Sequence, residues 1–334
     1  MPRAVAILAA LSDQERDDFL PEPLWATVRA IAGPFRELNS EGLSMDEFHR
    51  VLATTNPEVL LTCWKTPPLP AALPPGLRYV CCLAGSVKRL LTRAHLEQGL
   101  RVTNWGGSIS RTVAEAALLH ILSGLRRATH WTLVMHREGG WKSPETETAS
   151  LFGRRVGLHG FGPVARELCA LLRPFDCAIA VFAPDVTPAN AGQFGVTCAA
   201  SLEELFGGND VIVELAPLIP ATVGLVTERL LRLIRPGGVF VNVGRGAVVD
   251  EAALLRIARE GRIRLGLDVF SVEPLPADSG FRGLPNVSLS PHLGGPTTDR
   301  RRDAGAFALE NLRAYADGRP LQAVITPQVF ESST

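Results

Sequence analysis

Short apolar runs alternate with helical patterns over the first hundred residues. The runs predict three strands, at residues 4–10, 59–62 and 79–83. Apolar residues at helical spacing predict three helices, at residues 24–31, 45–52 and 87–98. This order of elements is typical of a small α/β unit with a parallel sheet.

A longer amphipathic pattern covers residues 109–129, where the apolar positions share one helical face. Those positions are Val113, Ala117, Leu118, Ile121 and Leu125. The next segment, residues 136–153, is polar and holds three glycines and a proline. Such a composition predicts a connection between domains.

Six apolar runs in βαβ order follow this segment. They lie at residues 155–160, 178–182, 211–215, 239–243, 263–267 and 287–289. A last helix is predicted over about residues 297–317, and it leads back towards the amino-terminal half. The six runs predict a doubly wound parallel sheet.

The composition limits the kind of protein. The chain has 334 residues, 46% of them hydrophobic and 20% charged, which is enough for two domains with buried cores. Its 34 basic and 34 acidic side chains cancel, which argues against a nucleic-acid partner. No apolar run approaches the roughly 18 residues of a membrane span, and the amino terminus lacks the order of a signal peptide. We therefore expect no membrane partner.

The cysteines indicate the compartment. They are Cys63, Cys81, Cys82, Cys169, Cys177 and Cys198. None forms a CxxC motif, and none has metal-ligand spacing with histidine. This usage predicts buried thiols in a cytoplasmic protein that binds no metal.

A glycine-rich turn joins the first run of the second series to the helix after it. Its sequence, V-G-L-H-G-F-G-P-V-A at residues 156–165, has the spacing of a dinucleotide-binding turn. Gly160 permits the tight turn, Gly162 lets a pyrophosphate approach the backbone, and Ala165 allows close packing of helix on strand. Free N–H groups at the helix start would bind the phosphates. The alternatives are a tight turn without a ligand and the similar turn of a methyltransferase.

Four further segments follow the glycine turn in an order known from one enzyme family. They are A-P-L-I-P-A-T at 216–222, V-N-V-G-R-G-A-V-V-D at 241–250, D-V-F-S-V-E-P at 268–274 and S-P-H-L-G-G-P-T at 290–297. Together they resemble the motifs of the D-isomer-specific 2-hydroxyacid dehydrogenases. The resemblance spans about residues 80–317, and the residues before it resemble the family only in pattern.

The resemblance implies an α/β fold of two Rossmann-like domains, one flavodoxin-like and one a doubly wound parallel sheet. Residues 1–107 and 299–334 would form a discontinuous substrate-binding (catalytic) domain. Residues 108–298 would form the dinucleotide-binding domain, with the active site in the cleft between the two. The family's usual assembly, together with the apolar face of residues 109–129, predicts a homodimer joined through the nucleotide domains.

The reaction implied is hydride transfer between NAD(P) and a 2-keto or D-2-hydroxy acid. Arg245 would bind the substrate carboxylate through paired hydrogen bonds. His292 would protonate the forming alkoxide and accept that proton in reverse, while Glu273 would orient the ring. By residue type alone, a surface arginine and an ordinary surface His–Glu pair are the alternatives.

The resemblance also implies which residues contact cofactor and substrate. The cofactor residues are Gly160, Phe161, Gly162, Pro163, Val164, Asp185, Pro217, Thr222, Val243, Gly244, Asp268 and Gly294. The substrate residues are Ala84, Gly85 and Ser86. Asp268 would lie near the nicotinamide carboxamide, with a helix or loop cap as the alternative. Lys88 is expected to be a solvated helix-start lysine, with a contact to substrate as the alternative. His159 is expected to be a structural residue in or behind its strand.

The choice between NAD and NADP depends on the end of the run at 178–182. An aspartate there would bind the adenosine ribose diol, but the chain has Ala183-Pro184-Asp185. No Arg or Lys occurs from residue 183 to 201 to meet a 2′-phosphate. We therefore expect NAD, with Asp185 as the ribose contact, and leave NADP open.

One alternative function comes from a different class of protein. The C-terminal-binding-protein corepressors use the same fold as a nucleotide-sensing interaction scaffold, and many of them keep the Arg, Glu and His. The balanced charge of this chain weighs against that alternative. The identity of the 2-hydroxy acid stays open.

Overall fold

The computed structural model describes residues 4–332. They divide into two compact units, one made of the chain up to Ile109 together with the chain from Pro296, and the other of Ser110–Gly295. The boundaries expected from the sequence, 107/108 and 298/299, lie within a few residues of these positions. The function assigned to each part stays a prediction at this point.

The first unit begins with a parallel sheet, five-stranded within the described residues. Its strands are β1 (Val5–Leu11), β2 (Ala32–Asn39), β3 (Val59–Thr62), β4 (Tyr79–Cys82) and β5 (Arg101–Thr103). The helices of this segment are α1 (Asp13–Phe19), α2 (Leu24–Ile31), α3 (Met45–Thr55) and α4 (Arg93–Glu97). The order β2-β1-β3-β4-β5 is that of flavodoxin-like sheets, as predicted.

Four elements of this part of the unit differ from the sequence prediction, and one of them is the three-residue strand β5, which the prediction does not include. The sequence prediction does not include helix α1, because its residues are mostly polar. The sequence does contain a capping box at its start: Ser12 accepts from the N–H of Glu15, and Glu15 accepts from the N–H of Ser12. The prediction also does not include strand β2, because this edge strand is half-exposed and has Pro34 near its start. The helix expected over 87–98 is confined to α4.

The second unit holds a parallel sheet that is seven-stranded within Ser110–Gly295. Its strands are β6 (Arg155–His159), β7 (Ala178–Phe182), β8 (Thr197–Cys198), β9 (Val211–Glu214), β10 (Val239–Asn242), β11 (Arg264–Leu267) and β12 (Val287–Leu289). The helices are α5 (Ser110–Arg126), α6 (Ala128–Leu133), α7 (Pro163–Leu172), α8 (Leu202–Gly208), α9 (Glu228–Leu233) and α10 (Glu251–Glu260). The chain then returns to the first unit with α11 (Arg301–Ala316) and α12 (Pro327–Ser332).

The strand order of the second sheet confirms the predicted doubly wound class. It runs β12-β11-β10-β9-β6-β7-β8, so the winding reverses between β6 and β9. In such sheets ligands bind beyond the carboxyl ends of the strands at this reversal. The central strands β9 and β10 are buried throughout, which is why they appear in the sequence as unbroken apolar runs.

Two expectations about the second unit need correction. The apolar face of α5 packs into the unit's own core, where Ala117, Ile121 and Leu125 are buried. That face is not free to join two copies, so the homodimer stays a prediction that rests on the resemblance alone. The polar segment 136–153 lies inside the second unit and does not connect the units. Its first residues belong to a π-helical turn at Val134–Glu138.

The cysteines are free thiols, four of them buried, with Cys177 and Cys198 half-buried. Burial raises the pKa of the Cys81 thiol to about 12. Within residues 4–332, no helix is long and apolar enough to cross a membrane. In the same part of the chain, no group of three or more His, Cys, Asp or Glu side chains is placed to hold a metal ion.

Candidate active site

The glycine turn follows β6 directly and begins α7. Gly160 has a φ of +96°, and a Cβ there would lie 2.8 Å from the carbonyl oxygen of Leu215, so only glycine fits. A Cβ at Gly162 would meet no atom within 4 Å, which leaves open space beside the helix start. Pro163 occupies the first turn of α7, where the N–H groups of a helix start have no partner within the helix. These features fit a bound pyrophosphate.

The turn's apolar residues pack inwards. Phe161 is buried against Phe194, and the guanidinium of Arg166 lies over both rings. Ala165 is fully buried, as close packing of α7 on β6 requires. Val164 is half-buried. The predicted contact of Phe161 with the cofactor could therefore be made only by its backbone.

A buried pair lies directly beneath this turn, at the ends of β6 and β9. His159 Nδ1 is 2.6 Å from Glu214 Oε2, and the two residues are register partners in the sheet. Glu214 is fully buried, and its other oxygen accepts the N–H of Ala216 at 2.8 Å. The burial of His159 agrees with its predicted structural role. Glu214 was not predicted from the sequence, because it stands in an apolar run.

Pro217 and Thr222 belong to the loop after β9. The Thr222 hydroxyl donates to the carbonyl oxygen of Pro217 at 2.6 Å and accepts the N–H of Ile219 at 2.9 Å. These bonds close the loop on itself. Thr222 therefore shapes the loop, and the contacts of Pro217 and Thr222 with a cofactor stay predictions.

The segment after β10 carries Arg245 to the carboxyl edge of the sheet. Asn242 holds this segment, because its side chain donates to the carbonyl oxygen of Arg245 and accepts the N–H of Gly244, both at 3.1 Å. Val243 is buried. Gly246 must be glycine, since a Cβ there would lie 2.0 Å from a backbone carbon of the neighbouring loop. The backbone around Arg245 is therefore tightly fixed.

The guanidinium of Arg245 is half-buried and close to an acidic neighbour. Burial lowers its pKa from the ordinary value, and the charge of Glu273 opposes that shift. Its Nη1 donates to the carbonyl oxygen of Gly244 at 2.7 Å. Arginine stays charged in proteins, so the edge of the sheet presents a partly desolvated cation.

Glu273 and His292 follow β11 and β12, the next strands along the same edge. His292 Nδ1 lies 2.7 Å from Glu273 Oε2, while Glu273 Oε1 accepts the N–H of Phe270 at 2.9 Å. The side chain of His292 is 47% exposed. Its backbone has a φ of +54°, which is uncommon for a residue with a Cβ and is found at functional sites. Because Nδ1 faces Glu273, Nε2 is the nitrogen that a substrate can reach.

Asp268 organises the loop that carries His292. Its carboxylate accepts from the Ser290 hydroxyl at 2.5 Å and from the N–H groups of Leu293 and Gly294, both at 2.8 Å. Its carbonyl oxygen accepts the N–H of His292 at 2.9 Å. A Cβ at Gly294 would lie 2.7 Å from the carboxylate, so glycine is required. The predicted contacts of Asp268 and Gly294 with the cofactor stay predictions.

His120 on α5 extends this hydrogen-bond chain into the core. Its Nε2 lies 2.9 Å from the Ser290 hydroxyl, which itself donates to Asp268, so Nε2 carries the donated proton. Burial lowers the pKa of His120, and Asp268 opposes that shift. A polar residue on the apolar face of α5 was the one sequence signal for it.

A cavity of about 620 Å³ borders His292 and Glu273. Its other lining residues are mostly apolar, namely Phe270, Pro274, Leu275, Arg282, Leu289, Ser290 and Pro291. A concave, largely apolar surface with a few polar groups is typical of a small-molecule site.

The turn after β7 holds the residue expected to contact the ribose. Asp185 is exposed, and its carboxylate makes no hydrogen bond within residues 4–332. Its carbonyl oxygen accepts the side-chain N–H of Asn190 at 2.9 Å. The carboxylate is therefore free to bind a ligand, and the ribose contact stays a prediction.

Ala84, Gly85 and Ser86 follow β4 in the first unit. Ala84 is buried and Ser86 exposed. The carbonyl oxygen of Gly85 accepts the side-chain N–H of Asn104 at 2.5 Å. A Cβ at Gly85 would lie 2.6 Å from the Trp105 ring, so this loop and that indole fit together only through glycine.

Two indole rings, those of Trp105 and Trp64, pack next to each other beside this loop. Trp64 is 45% exposed and meets Trp105 edge-on, with ring centroids 6.0 Å apart. Lys88 is exposed, and its ammonium group lies 5.9 Å from the centre of the Phe330 ring. That position agrees with a solvated lysine.

The glycine turn and the reversal of the sheet are the features of a dinucleotide-binding domain. The model of the D-isomer specific 2-hydroxyacid dehydrogenase NAD binding domain matches residues 117–294, more than half of the chain. The chain therefore belongs to this family, and the second unit contains its NAD-binding domain.

Named relatives agree with this membership. Hydroxyphenylpyruvate reductase of Plectranthus scutellarioides is 35% identical over 235 residues, 70% of this chain and 72% of that protein. Glyoxylate reductase of Thermococcus litoralis is 29% identical over 267 residues, 78% of this chain and 80% of that protein. Holo D-mandelate dehydrogenase of Rhodotorula graminis superposes with a TM-score of 0.82 at 22% identity, covering 97% and 98% of the two chains, and shows the fold alone.

These comparisons confirm the predicted family, the fold class and hydride transfer between NAD and 2-keto or 2-hydroxy acids. They do not favour the scaffold alternative. The predicted catalytic roles of single residues are not tested by them.

Proposed function

We propose that the protein reduces a 2-keto acid with NADH, using Arg245 to bind the carboxylate and His292, oriented by Glu273, to supply the proton. One observation carries this proposal. The three residues follow the neighbouring strands β10, β11 and β12, and His292 is hydrogen-bonded to Glu273 at 2.7 Å. A cation, a proton donor and an orienting carboxylate are what keto-acid reduction requires.

The residues divide the reaction between them. A bound nicotinamide supplies the hydride to the carbonyl carbon. Arg245 holds the carboxylate bidentately and polarises the carbonyl, and its partial burial strengthens both interactions. His292 gives the proton on Nε2 to the carbonyl oxygen as negative charge forms there. Glu273 stabilises the imidazolium before that transfer.

The nucleotide unit fits NAD through its backbone. Gly160 and Gly162 open the turn, and the start of α7 offers N–H groups to the pyrophosphate. Asp185 is the exposed carboxylate beyond β7 that would bind the ribose diol. A carboxylate there repels a 2′-phosphate, so NADH is preferred to NADPH in this proposal.

The substrate side chain is large and apolar in this proposal. Gly85 belongs to the loop with the proposed substrate role, and Trp105 packs against it while Trp64 leaves nearly half its surface exposed. Exposed indole rings favour contact with aromatic or branched groups. The similarity to hydroxyphenylpyruvate reductase supports the same class.

The test is NADH oxidation with glyoxylate, hydroxypyruvate, pyruvate and phenylpyruvate in wild type and in Arg245→Ala. We expect phenylpyruvate to give the highest kcat/KM, and NADH to exceed NADPH by roughly tenfold. Losing a desolvated charge pair in Arg245→Ala should lower kcat/KM by roughly 10²–10⁴-fold, or about 3–5 kcal/mol, with the Kd for NADH unchanged.

Arg173→Ala is the matched control, because Arg173 is an exposed arginine of the same unit. It should keep the wild-type kinetics. Near-normal turnover in Arg245→Ala would contradict its assignment, and a preference for glyoxylate would contradict the aromatic substrate class.

A further inference from the structure

A second polar pocket lies at the amino ends of β10, β11 and β12, the edge of the sheet away from Arg245 and His292. Its volume is about 380 Å³, and the carboxyl end of α5 forms one wall. Its charged lining residues are Arg127, Glu147, Arg262 and Arg264. Three arginines and one glutamate leave a net charge of two positive units on this basic pocket.

The arginines of the basic pocket are poorly compensated by the protein itself. Within residues 4–332, none of Arg127, Arg262 and Arg264 forms an ion pair with a carboxylate. The Nη1 atom of Arg262 is buried and lacks a hydrogen-bond partner in that part of the chain. A buried donor without a partner is costly, so the described residues leave this guanidinium only partly compensated.

Mutual repulsion adds to this imbalance. Burial lowers the pKa of Arg264, the charge of Arg127 lowers it further, and Arg154 adds to the same effect. Glu147 opposes the shift but is itself exposed. Like charges that share a half-buried surface gain most from a counter-anion, because the local dielectric is low.

We propose that the basic pocket binds a dianionic oxyanion, either inorganic phosphate or the phosphate group of a small phosphomonoester. Two negative charges match the net charge of the lining. Guanidinium groups match phosphate oxygens in a bidentate geometry. The volume leaves room for an organic part beside the phosphate.

The test uses the whole protein with saturating NADH, so that the nucleotide turn is already filled. Thermal unfolding is followed against phosphate, against glycerol 3-phosphate and against sodium chloride at matched ionic strength. We expect a saturable rise in Tm of a few degrees with the phosphate ligands and none with chloride. A larger rise with glycerol 3-phosphate would identify a phosphomonoester site, and an equal rise a site for phosphate itself.

Variants of the pocket test whether the rise in Tm comes from binding at this site. Arg127→Gln and Arg264→Gln should lose the rise, while Arg126→Gln, a change at the exposed neighbour of Arg127 on α5, should keep it. Equilibrium dialysis with labelled phosphate should find one site per chain in wild type and none in Arg264→Gln, and this measurement does not depend on the stability of the variant.

Three results would overturn the proposal. One is a rise in Tm that survives in both pocket variants, which would place the anion elsewhere. Another is no phosphate bound in dialysis. The third is that wild type binds no phosphate while Arg264→Gln changes from dimer to monomer. That result would show that the pocket is part of a contact between two copies of the chain.

Discussion

Two histidine–glutamate pairs lie in the second unit with almost the same geometry and with opposite surroundings. In both, Nδ1 of the ring meets Oε2 of the carboxylate, at 2.6 Å for His159–Glu214 and at 2.7 Å for His292–Glu273. The side chains of the first pair are 6% and 0% exposed, and those of the second 47% and 36%. The same contact therefore lies in two environments, which differ in their access to water.

The buried pair connects two parts of the nucleotide turn. His159 immediately precedes Gly160, and Glu214 also accepts the N–H of Ala216 in the loop after β9. Removing one partner of a buried pair leaves the other without compensation, which is costly. The exposed pair loses little when broken, because water replaces the partner. It can therefore exchange a proton with a ligand without loss of the fold.

The largest expected effect is on activity at the exposed pair. His292→Gln should lower kcat/KM for keto acids by roughly 10²–10⁴-fold, because the proton donor to the carbonyl oxygen is gone. Its unfolding free energy should stay within about 1 kcal/mol of wild type. Steady-state kinetics and denaturant unfolding measure the two quantities, with His136→Gln, an exposed histidine of the same unit, as the control. Turnover near the wild-type value would show that the exposed pair has no catalytic part.

The next effect is on stability at the buried pair. Glu214→Ala should lower the free energy of unfolding by about 3–5 kcal/mol, because His159 and the N–H of Ala216 lose a buried acceptor. Glu273→Ala is the matched variant in the exposed pair and should cost about 1 kcal/mol or less. Urea unfolding of both variants gives the comparison directly. Equal losses would mean that burial does not separate the pairs.

The two pairs also differ in how far the sequence reveals them. Glu273 and His292 stand in polar stretches just after apolar runs, so pattern and motif together place them at one edge of a sheet. Glu214 stands inside an apolar run, and its partner is 55 residues away. The two become neighbours only through the strand order β9-β6, which the linear sequence does not contain.

A similar limit applies to the fold. Strand β3 and helix α2 were predictable to the residue, because each is a buried or amphipathic pattern with clear ends. The edge strands β2 and β8 were not, since half-exposed or two-residue strands carry no period that differs from a loop. Strands with a buried or amphipathic pattern were therefore easier to predict than short or half-exposed strands.

The smallest expected effect concerns a third histidine, which has no direct carboxylate. His120 is buried and reaches Asp268 only through the Ser290 hydroxyl. Burial lowers its pKa from the ordinary value of 6.5, so the folded protein takes up this proton less readily than the unfolded chain. The stability that this group contributes is thus complete above about pH 6.5, and it is lost as the pH falls through the folded pKa. His120→Gln removes that loss, and its unfolding free energy should depend less steeply on pH between pH 6.5 and 5.5. The difference in slope has an upper bound of about 1.4 kcal/mol per pH unit, the value for one proton. Urea unfolding of both proteins from pH 8 to 5.5 measures it, and parallel curves would mean that His120 is protonated in the folded protein as readily as in the unfolded chain.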